Sequence, residues 1–225
     1  MSQKITVIIP TKNEEHTIEE IIQGCKVFAS EVIVADGHST DKTKEISERV
    51  GARFLLDGGK GKGDGLRKAS QAATGDILVF IDADGSHDPH DIPRLVKPIL
   101  DNEADLVTGS RPKGGSDELH GDVQKLIRMI GSDIITIVIN YRWKAKLSDT
   151  QNGFRAIRRK VMLDLNLKEN GFTIEEEMIM KCLKKGYRVD EVPTHEYERR
   201  YGVSRISLCR VSFRFVWVVL KHVFF

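Results

Sequence analysis

Between residue 4 and about residue 109, short runs rich in Val, Ile and Leu alternate with amphipathic stretches, and this alternation limits the folds open to the chain. The short runs lack polar alternation, which is typical of strands buried on both faces of a sheet. Strands separated by helices favour parallel pairing, with helices covering both faces. We therefore predict an α/β fold, a three-layer sandwich around a mostly parallel central sheet. The predicted strands cover residues 5–9, 32–35, 53–56, 77–81 and 106–108.

The stretches between these strands carry apolar residues at helical spacing. The first follows Asn13 and places Ile18, Ile21, Ile22 and Cys25 on one face. Asp88 before Pro89 indicates the start of a later helix. Further predicted elements are helices over roughly 41–50, 62–73, 91–102, 119–140 and 173–185, and a strand over 187–192.

Length and composition narrow the class of protein. A chain of 225 residues can bury a sizeable core, and we predict one domain over residues 1–205 followed by a terminal segment over 206–225. With 35 basic and 33 acidic residues the net charge is +2, which argues against nucleic acid as a partner. Three widely spaced cysteines favour a reducing, cytoplasmic setting. The amino terminus lacks the apolar region of a signal peptide. The sequence contains no run of 18 apolar residues, so we predict no transmembrane helix.

Two carboxylates, Asp82 and Asp84, follow the strongly apolar run 77–81. The end of a buried strand is an unfavourable place for two like charges unless a cation neutralises them. Mg²⁺ or Mn²⁺ would suit these oxygens and would leave coordination positions for substrate phosphates. The alternative is a turn in which Asp84 and Gly85 only support the backbone.

Other polar residues also follow predicted strands, and ligands of parallel sheets collect at this edge. Asp36 could accept hydrogen bonds from a base or ribose, while Thr40 or Asp41 could instead cap the next helix. The glycine-rich segment 58–65 carries Lys60 and Lys62 and fits either a phosphate-approaching loop or a mobile loop. The polar strand ends are 10–14, 36–37, 82–84 and 109–111.

His87 and His90 stand near Asp84 and raise the alternative of a zinc site. We prefer the interpretation that the two histidines belong to a polar loop whose residues cap the following helix.

The terminal segment 206–225 combines aromatic and apolar residues with basic ones. At helical spacing Arg210, Arg214 and Lys221 fall within a sector of about 40°. This pattern favours an amphipathic helix on a membrane surface, in contact with anionic headgroups. Packing on the protein's own core, or the start of a longer membrane region, are the alternatives.

Taken in order along the chain, these motifs resemble the family-2 glycosyltransferases of GT-A fold. The second half resembles more narrowly the dolichyl-phosphate mannosyltransferases and related polyprenyl-phosphate sugar synthases. The motifs that carry the resemblance lie at 10–14, 36–41, 75–76, 82–84, 109–115, 128–132, 148–155, 171–175 and 199–205.

The resemblance implies roles for individual residues. The donor nucleotide would contact Pro10, Asn13, Glu14, Asp36, Asp82, Ala83, Asp84, Arg199 and Ser204. A Mg²⁺ or Mn²⁺ ion would bind Asp82 and Asp84. The phosphate of the acceptor lipid would contact Arg111, Arg128 and Ser132. Catalysis would rest on Asp82, Asp84, Arg111 and Arg199. Lys12 and Arg205 depart from the residues usual in the family, Tyr and Lys respectively.

The implied reaction moves a sugar from a nucleotide-diphosphate sugar, GDP-mannose or a UDP-hexose, to dolichyl or polyprenyl phosphate with inversion at the anomeric carbon. An ionised phosphate acceptor needs no strong general base, so positioning and charge neutralisation suffice. The alternatives are the same fold acting on a soluble or glycan acceptor, and a nucleotide-sugar-binding protein without catalysis. The resemblance also implies an enzyme held peripherally on the cytoplasmic face of a membrane.

Overall fold

The computed structural model describes residues 3–117, 123–201 and 208–224. Its strands are β1 (Ile5–Thr11), β2 (Glu31–Asp36), β3 (Arg53–Leu56), β4 (Ile77–Phe80), β5 (Leu106–Ser110), β6 (Arg155–Arg158) and β7 (Val189–Pro193). They form one seven-stranded sheet in the order β3-β2-β1-β4-β6-β5-β7. All neighbouring strands pair in parallel except β6, which runs antiparallel to both β4 and β5.

The helices lie close to the predicted ranges. They are α1 (Ile18–Lys26), α2 (Thr43–Arg49), α3 (Lys62–Ala72), α4 (Ile92–Leu100), α5 (Arg111–Gly114), α6 (Val123–Trp143), α7 (Arg159–Asp164), α8 (Ile174–Lys184) and α9 (Leu208–Phe224). A short 3₁₀ turn, Pro89–Asp91, precedes α4, and the Asp88 side chain accepts a hydrogen bond from the His90 N–H, as the capping interpretation predicts.

The sheet lies between two apolar layers, because successive side chains of a strand point to opposite faces. In β4, Leu78 and Phe80 face the layer formed with α3, α6, α7, α8 and α9, whereas Ile77 and Val79 face α1 and α4. The predicted three-layer α/β sandwich is thereby confirmed.

Strand β6 and the short helices α5 and α7 were not predicted. The four residues of β6, Arg-Ala-Ile-Arg, are charged at both ends and too short to show a period. Its antiparallel direction has a structural consequence, since its first residue, Arg155, pairs with Phe80 at the carboxyl end of β4. The segment preceding β6 is therefore delivered to the edge where the parallel strands end.

Helices α6 and α9 pack against each other, and α9 also packs against α8. Val218 and Val219 of α9 are buried, so the alternative of core packing holds for this part of the terminal segment. The apolar side chains on the outer sides of both helices are exposed: Ile130, Ile134, Ile137, Tyr141, Val216, Trp217 and Leu220. The boundary between residues 205 and 206 stays a prediction.

Within the described residues, no helix combines the length and the apolar composition required to cross a bilayer.

Buried charges join β6 to α8. The guanidinium of Arg155 is buried and donates hydrogen bonds to the backbone carbonyls of Asn152 and Glu175, at 3.0 and 2.8 Å. The Glu176 carboxyl is also buried. Burial, together with the neighbouring Glu175, raises the pKa of Glu176 well above its ordinary value, although Arg155 opposes this shift.

This raised pKa predicts a pH-dependent stability. The native state holds the Glu176 proton more tightly than the unfolded chain does, because the pKa of an unfolded glutamate is about 4.3. The free energy of unfolding therefore falls as pH rises from about 4.3 towards the higher pKa of Glu176 in the folded state. We expect Glu176→Gln to raise the free energy of unfolding relative to wild type by an amount that grows between about pH 5 and pH 8. Denaturant unfolding across pH measures this difference. The exposed Glu48→Gln serves as control, and a difference that does not change with pH would contradict the assignment.

Candidate functional site

The polar strand ends meet at one edge of the sheet. The strand order reverses between β1 and β4, and ligands of open α/β sheets bind outside the carboxyl ends of strands at such a point. The predicted segments that end β1, β2, β4 and β5 all lie at this edge, because these four strands run in the same direction. Strand β1 pairs in parallel with β2 and β4, and β5 has the direction of β4 because both are antiparallel to β6.

Asp82 and Asp84 follow β4 at the centre of this edge, and each carboxylate pairs with a cation from a distant part of the chain. Lys62 Nζ lies 2.7 Å from Asp82 Oδ1, and Arg199 Nη2 lies 2.6 Å from Asp84 Oδ2. The other oxygen of Asp84 accepts hydrogen bonds from the N–H and hydroxyl of Ser86, at 3.0 and 2.6 Å. Burial alone would raise the pKa of Asp82, but the charge of Lys62 outweighs burial and lowers it.

Arg199 reaches Asp84 because the segment after β7 runs back along the loop that follows β4. The Tyr197 N–H donates to the Ser86 carbonyl at 2.9 Å, and Arg200 pairs with Glu20 of α1 at 2.7 Å. Of the two residues predicted on this segment, Arg199 is therefore at the site, whereas Ser204 lies outside the described residues.

Lys62 was not predicted as a site residue. It lies within the glycine-rich segment, at the first residue of α3, and bridges Asp82 and Glu175, whose Oε1 lies 2.9 Å from Nζ. Burial alone would lower the pKa of Lys62, but these two carboxylates outweigh burial and raise it, so the ammonium stays charged. The glycines around Lys62 were the available signal, but their spacing matches no established phosphate-binding pattern.

The Asp82 and Asp84 oxygens fit a divalent cation. Both already bind a positive group, which shows that they attract cations, and carboxylates are preferred ligands of Mg²⁺ and Mn²⁺. Among the described residues no group of three or more His, Cys, Asp or Glu side chains could hold a metal. An ion bound by Asp82 and Asp84 would therefore take its remaining ligands from substrate phosphate and water.

The loops that follow β1 and β2 are joined by hydrogen bonds. The Asn13 N–H donates to Ser39 Oγ, and Asn13 Oδ1 accepts from the Thr40 N–H, both at 2.8 Å. Asp36 is buried and accepts hydrogen bonds from both the N–H and the hydroxyl of Ser39, while the Glu14 N–H donates to Thr43 Oγ1. Pro10, Asn13, Glu14 and Asp36 thus lie at one end of the site, with Asp36 holding the loop in place.

A second cluster of charges surrounds Arg111, the first residue of α5. Its guanidinium makes a bidentate pair with Asp149, with Nε to Oδ2 at 2.6 Å and Nη2 to Oδ1 at 3.0 Å, and contacts Glu196 at 3.3 Å. Asp149 is 2% exposed and Arg111 is 19% exposed. Burial alone would raise the pKa of Asp149, but the Arg111 charge outweighs burial and lowers it.

The segment between Asp149 and Arg155 links the two clusters. Asp149 holds Arg111, and four residues later Gly153 packs directly against the other cluster. A Cβ atom at Gly153 would lie 2.7 Å from Asp82 Oδ2 and 3.0 Å from Lys62 Nζ, so a side chain there would displace Asp82 and Lys62 from their present positions. This close approach explains the glycine in the motif.

His87 also lies between the clusters. Its ring is buried and stacks on Phe154, with centroids 5.1 Å apart. Burial lowers the pKa of His87, against the opposing charges of Asp82, Glu196 and Asp84, so its imidazole is neutral near pH 7. His90, by contrast, is exposed and pairs with Asp88 at 2.8 Å. The two histidines do not converge on Asp84.

Two predicted acceptor residues lie on α6. Ser132 is half-buried in this helix, and Arg128 belongs to it, but the Arg128 side chain lies outside the described part of the chain. The structure also places Glu196 and Asp149 in contact with Arg111, and neither contact was among the predictions for the acceptor residues.

Comparison with known proteins identifies close sequence relatives. A family model described as "Glycosyl transferase family 2" matches residues 6–165. The glycosyltransferase AglJ of Haloferax volcanii is 33% identical over 201 residues, which cover 88% of this chain and 64% of the relative. The low-salt glycan biosynthesis hexosyltransferase Agl6 of the same organism is 31% identical over 224 residues, covering 97% of this chain and 53% of the relative. The chain thus spans between half and two thirds of the length of these relatives.

Solved structures share the architecture. Glucosyl-3-phosphoglycerate synthase from Mycobacterium tuberculosis, in complex with Mn²⁺, UDP and glucosyl-3-phosphoglycerate, superposes with a TM-score of 0.76 at 24% identity, covering 98% of this chain and 80% of that one. The complex of the same enzyme with Mn²⁺ and UDP-glucose also gives a TM-score of 0.76 at 24% identity, covering 99% of this chain and 79% of that one. The chain therefore has the fold of GT-A nucleotide-sugar transferases.

The Arg111–Asp149 pair predicts a large effect on stability. Arg111→Met leaves the Asp149 carboxylate buried and without its guanidinium partner, so we expect a loss of about 3–5 kcal/mol in the free energy of unfolding. The double variant Arg111→Met/Asp149→Asn should recover part of this loss. Denaturant titration measures both effects.

Arg49→Met is the matched control, because Arg49 pairs with Glu19 on the surface, where both side chains are at least half exposed. We expect it to lose less than about 1 kcal/mol. Equal losses in the free energy of unfolding for the two Arg→Met variants would contradict a larger contribution of the buried pair to stability.

Proposed function

The chain belongs to glycosyl transferase family 2, and on this premise we propose that it transfers a sugar from a nucleoside diphosphate to a polyprenyl or dolichyl phosphate. The main support is the placement of two charged clusters, one suited to a diphosphate with its metal and one to a phosphate, on either side of the segment 149–155.

The donor occupies the edge above β1, β2 and β4 in this proposal. Pro10, Asn13, Glu14 and Asp36 line the nucleotide end, while Asp82, Ala83 and Asp84 lie at the diphosphate end. A Mg²⁺ or Mn²⁺ ion held by Asp82 and Asp84 would neutralise the diphosphate charge. Arg199 approaches from the segment after β7, and Ser204 belongs to the same part of the sequence. The comparison enzyme, whose complexes contain Mn²⁺ with UDP or UDP-glucose, is consistent with this assignment.

The acceptor phosphate binds at Arg111. Within the described residues, the contacts of its guanidinium use three of its five N–H groups, and the side chain retains access to solvent. Asp149 and Glu196 fix the plane of the guanidinium, which favours a directed contact with a phosphate oxygen. Arg128 and Ser132 of α6 complete the proposed acceptor site.

The chemistry is a direct displacement. An oxygen of the acceptor phosphate forms a bond to the anomeric carbon while the bond to the diphosphate oxygen breaks, which inverts the configuration. The acceptor is already ionised near neutral pH, so no residue has to remove a proton. Asp82 and Asp84 hold the donor end, Arg199 stabilises the departing diphosphate, and Arg111 orients the attacking phosphate.

The exposed apolar side chains of α6 and α9 support a membrane surface as the place of action. They are between 45% and 89% exposed, and α6 also carries the proposed acceptor residues Arg128 and Ser132. Basic residues accompany them, since Arg142, Lys144, Arg214 and Lys221 are exposed as well. Apolar side chains with a basic rim are typical of helices that lie on anionic lipid. The buried free thiols of Cys25 and Cys182 are consistent with the cytoplasmic face.

A donor and acceptor panel tests the reaction. Purified protein with Mn²⁺ or Mg²⁺ is incubated with GDP- and UDP-sugars and with polyprenyl phosphate, phosphoglycerate or a glycan. We expect lipid-linked sugar from one donor. Product only with phosphoglycerate or a glycan would favour the alternative of a soluble acceptor, and phosphoglycerate is included because the comparison enzyme is a glucosyl-3-phosphoglycerate synthase.

Asp84→Asn tests whether turnover depends on the carboxylate pair. We expect at least about a hundredfold loss of turnover with the protein still folded. The substitution removes one of the two carboxylate charges that would hold the metal, and through it the donor diphosphate. Asp101→Asn, an exposed change at the end of α4, should leave turnover unchanged. Nucleotide-sugar binding without turnover in the wild type would favour the non-catalytic alternative.

Membrane binding is tested separately with vesicles. We expect the wild type to sediment with vesicles of phosphatidylcholine and phosphatidylglycerol, less so at high salt. Replacing Ile137 and Trp217 by Glu should weaken binding by about tenfold or more for each side chain, since each loses the free energy of burying an apolar group. Val27→Glu is the control, because Val27 is 72% exposed at the end of α1. Equal effects of the three changes would contradict a specific surface on α6 and α9.

A further inference from the structure

Lys62 holds a position that the proposed reaction leaves unexplained. Its ammonium contacts Asp82 and Glu175 at once, at 2.7 and 2.9 Å, and the side chain is only 13% exposed. The ring of Phe172 lies 5.7 Å from the same nitrogen. The ammonium thus lies directly beside one of the two carboxylates proposed to bind a metal.

Asp82 and Asp84 therefore each carry an internal cation. Lys62 arrives from the glycine-rich segment, and Arg199 arrives from the segment after β7. A divalent ion that binds both carboxylates must displace Lys62 from Asp82 Oδ1, share that oxygen with it, or take Oδ2 of the same carboxylate. In the last two cases two positive groups lie at one carboxylate, and they repel each other more strongly than in water because the Lys62 side chain is mostly buried.

We propose that Lys62 is an exchangeable counter-ion, which yields Asp82 to the divalent ion and then contacts the diphosphate of the donor while Glu175 retains it. This inference rests on the proposed function, and it assigns a positioning role to Lys62. Its consequence is that metal and nucleoside diphosphate strengthen each other's binding, because the diphosphate compensates the positive charge that the metal adds.

Glu175 supplies the means of retaining Lys62. Its carboxylate is buried, and among the described residues its second oxygen, Oε2, has no hydrogen-bond partner. Leaving this buried carboxylate without a cation would be strongly unfavourable, so Lys62 stays bound to Glu175 when Asp82 is taken.

The balance of charge agrees with this exchange. Lys62 and Arg199 face three carboxylates, those of Asp82, Asp84 and Glu175. A divalent ion would turn this excess of one negative charge into an excess of one positive charge, which favours the entry of a diphosphate with its two or more negative charges.

The test measures Mn²⁺ binding by titration calorimetry, and by the electron paramagnetic resonance of free Mn²⁺, without nucleotide and with UDP or GDP. The proteins are the wild type, Lys62→Met, Lys62→Arg and the control Lys60→Met, whose exposed lysine belongs to the same glycine-rich segment. We expect Lys62→Met to bind Mn²⁺ alone about tenfold more tightly than the wild type, and to lose most of the increase in affinity that the nucleotide produces. Lys62→Arg and Lys60→Met should behave like the wild type.

Unchanged or weaker binding of Mn²⁺ alone by Lys62→Met would overturn the exchange while leaving the proposed function standing. A wild type that binds neither UDP nor GDP in the presence of Mn²⁺ would overturn both. If Lys62→Met does not fold, Glu175→Gln provides the test. In this variant Lys62 pairs with Asp82 alone, so we expect Mn²⁺ to bind more weakly than to the wild type. Equal or tighter binding of Mn²⁺ would overturn the exchange.

Discussion

The neutralisation of two carboxylates at the end of a buried strand is the constraint on which the rest of the site depends. Asp82 and Asp84 follow a strand whose residues are all buried, and like charges there require nearby cations. Lys62 and Arg199 meet this requirement from segments that lie before and far after the strand. The glycine-rich segment and the segment after β7 are thereby drawn to the same edge of the sheet.

The antiparallel strand β6 gives the site its second half. Because β6 runs against β4 and β5, the residues before it arrive at the edge where the parallel strands end. Asp149 then pairs with Arg111, while Gly153 packs against Asp82 and Lys62. One short segment thus fixes the spacing between the diphosphate end and the phosphate end of the proposed site, and the buried Arg155 anchors it to α8.

Much of the fold could be predicted from local pattern. Unbroken apolar runs identified β1 to β5, and helical spacing on α1 identified the same four residues that the structure buries: Ile18, Ile21, Ile22 and Cys25. Strand β6 could not be predicted, since its four residues carry an arginine at each end and owe their strand conformation to pairing on both sides. On α6, Ile130, Ile134 and Ile137 follow helical spacing but face outward, because the inner side is occupied by Ile135, Thr136 and Ile139.

The sequence by itself determined the alternation of strands and helices, and with it the edge at which Asp36, Asp82, Asp84 and Arg111 gather, because strand direction and side-chain period are local properties of the chain. Only the tertiary structure decided which charges meet there. Lys62 with Asp82 and Glu175, Arg199 with Asp84, and Arg111 with Asp149 are pairs between residues 20 to 115 positions apart. Such pairs form because burial makes an unpaired charge unfavourable, and burial is a property of the packed molecule rather than of any segment.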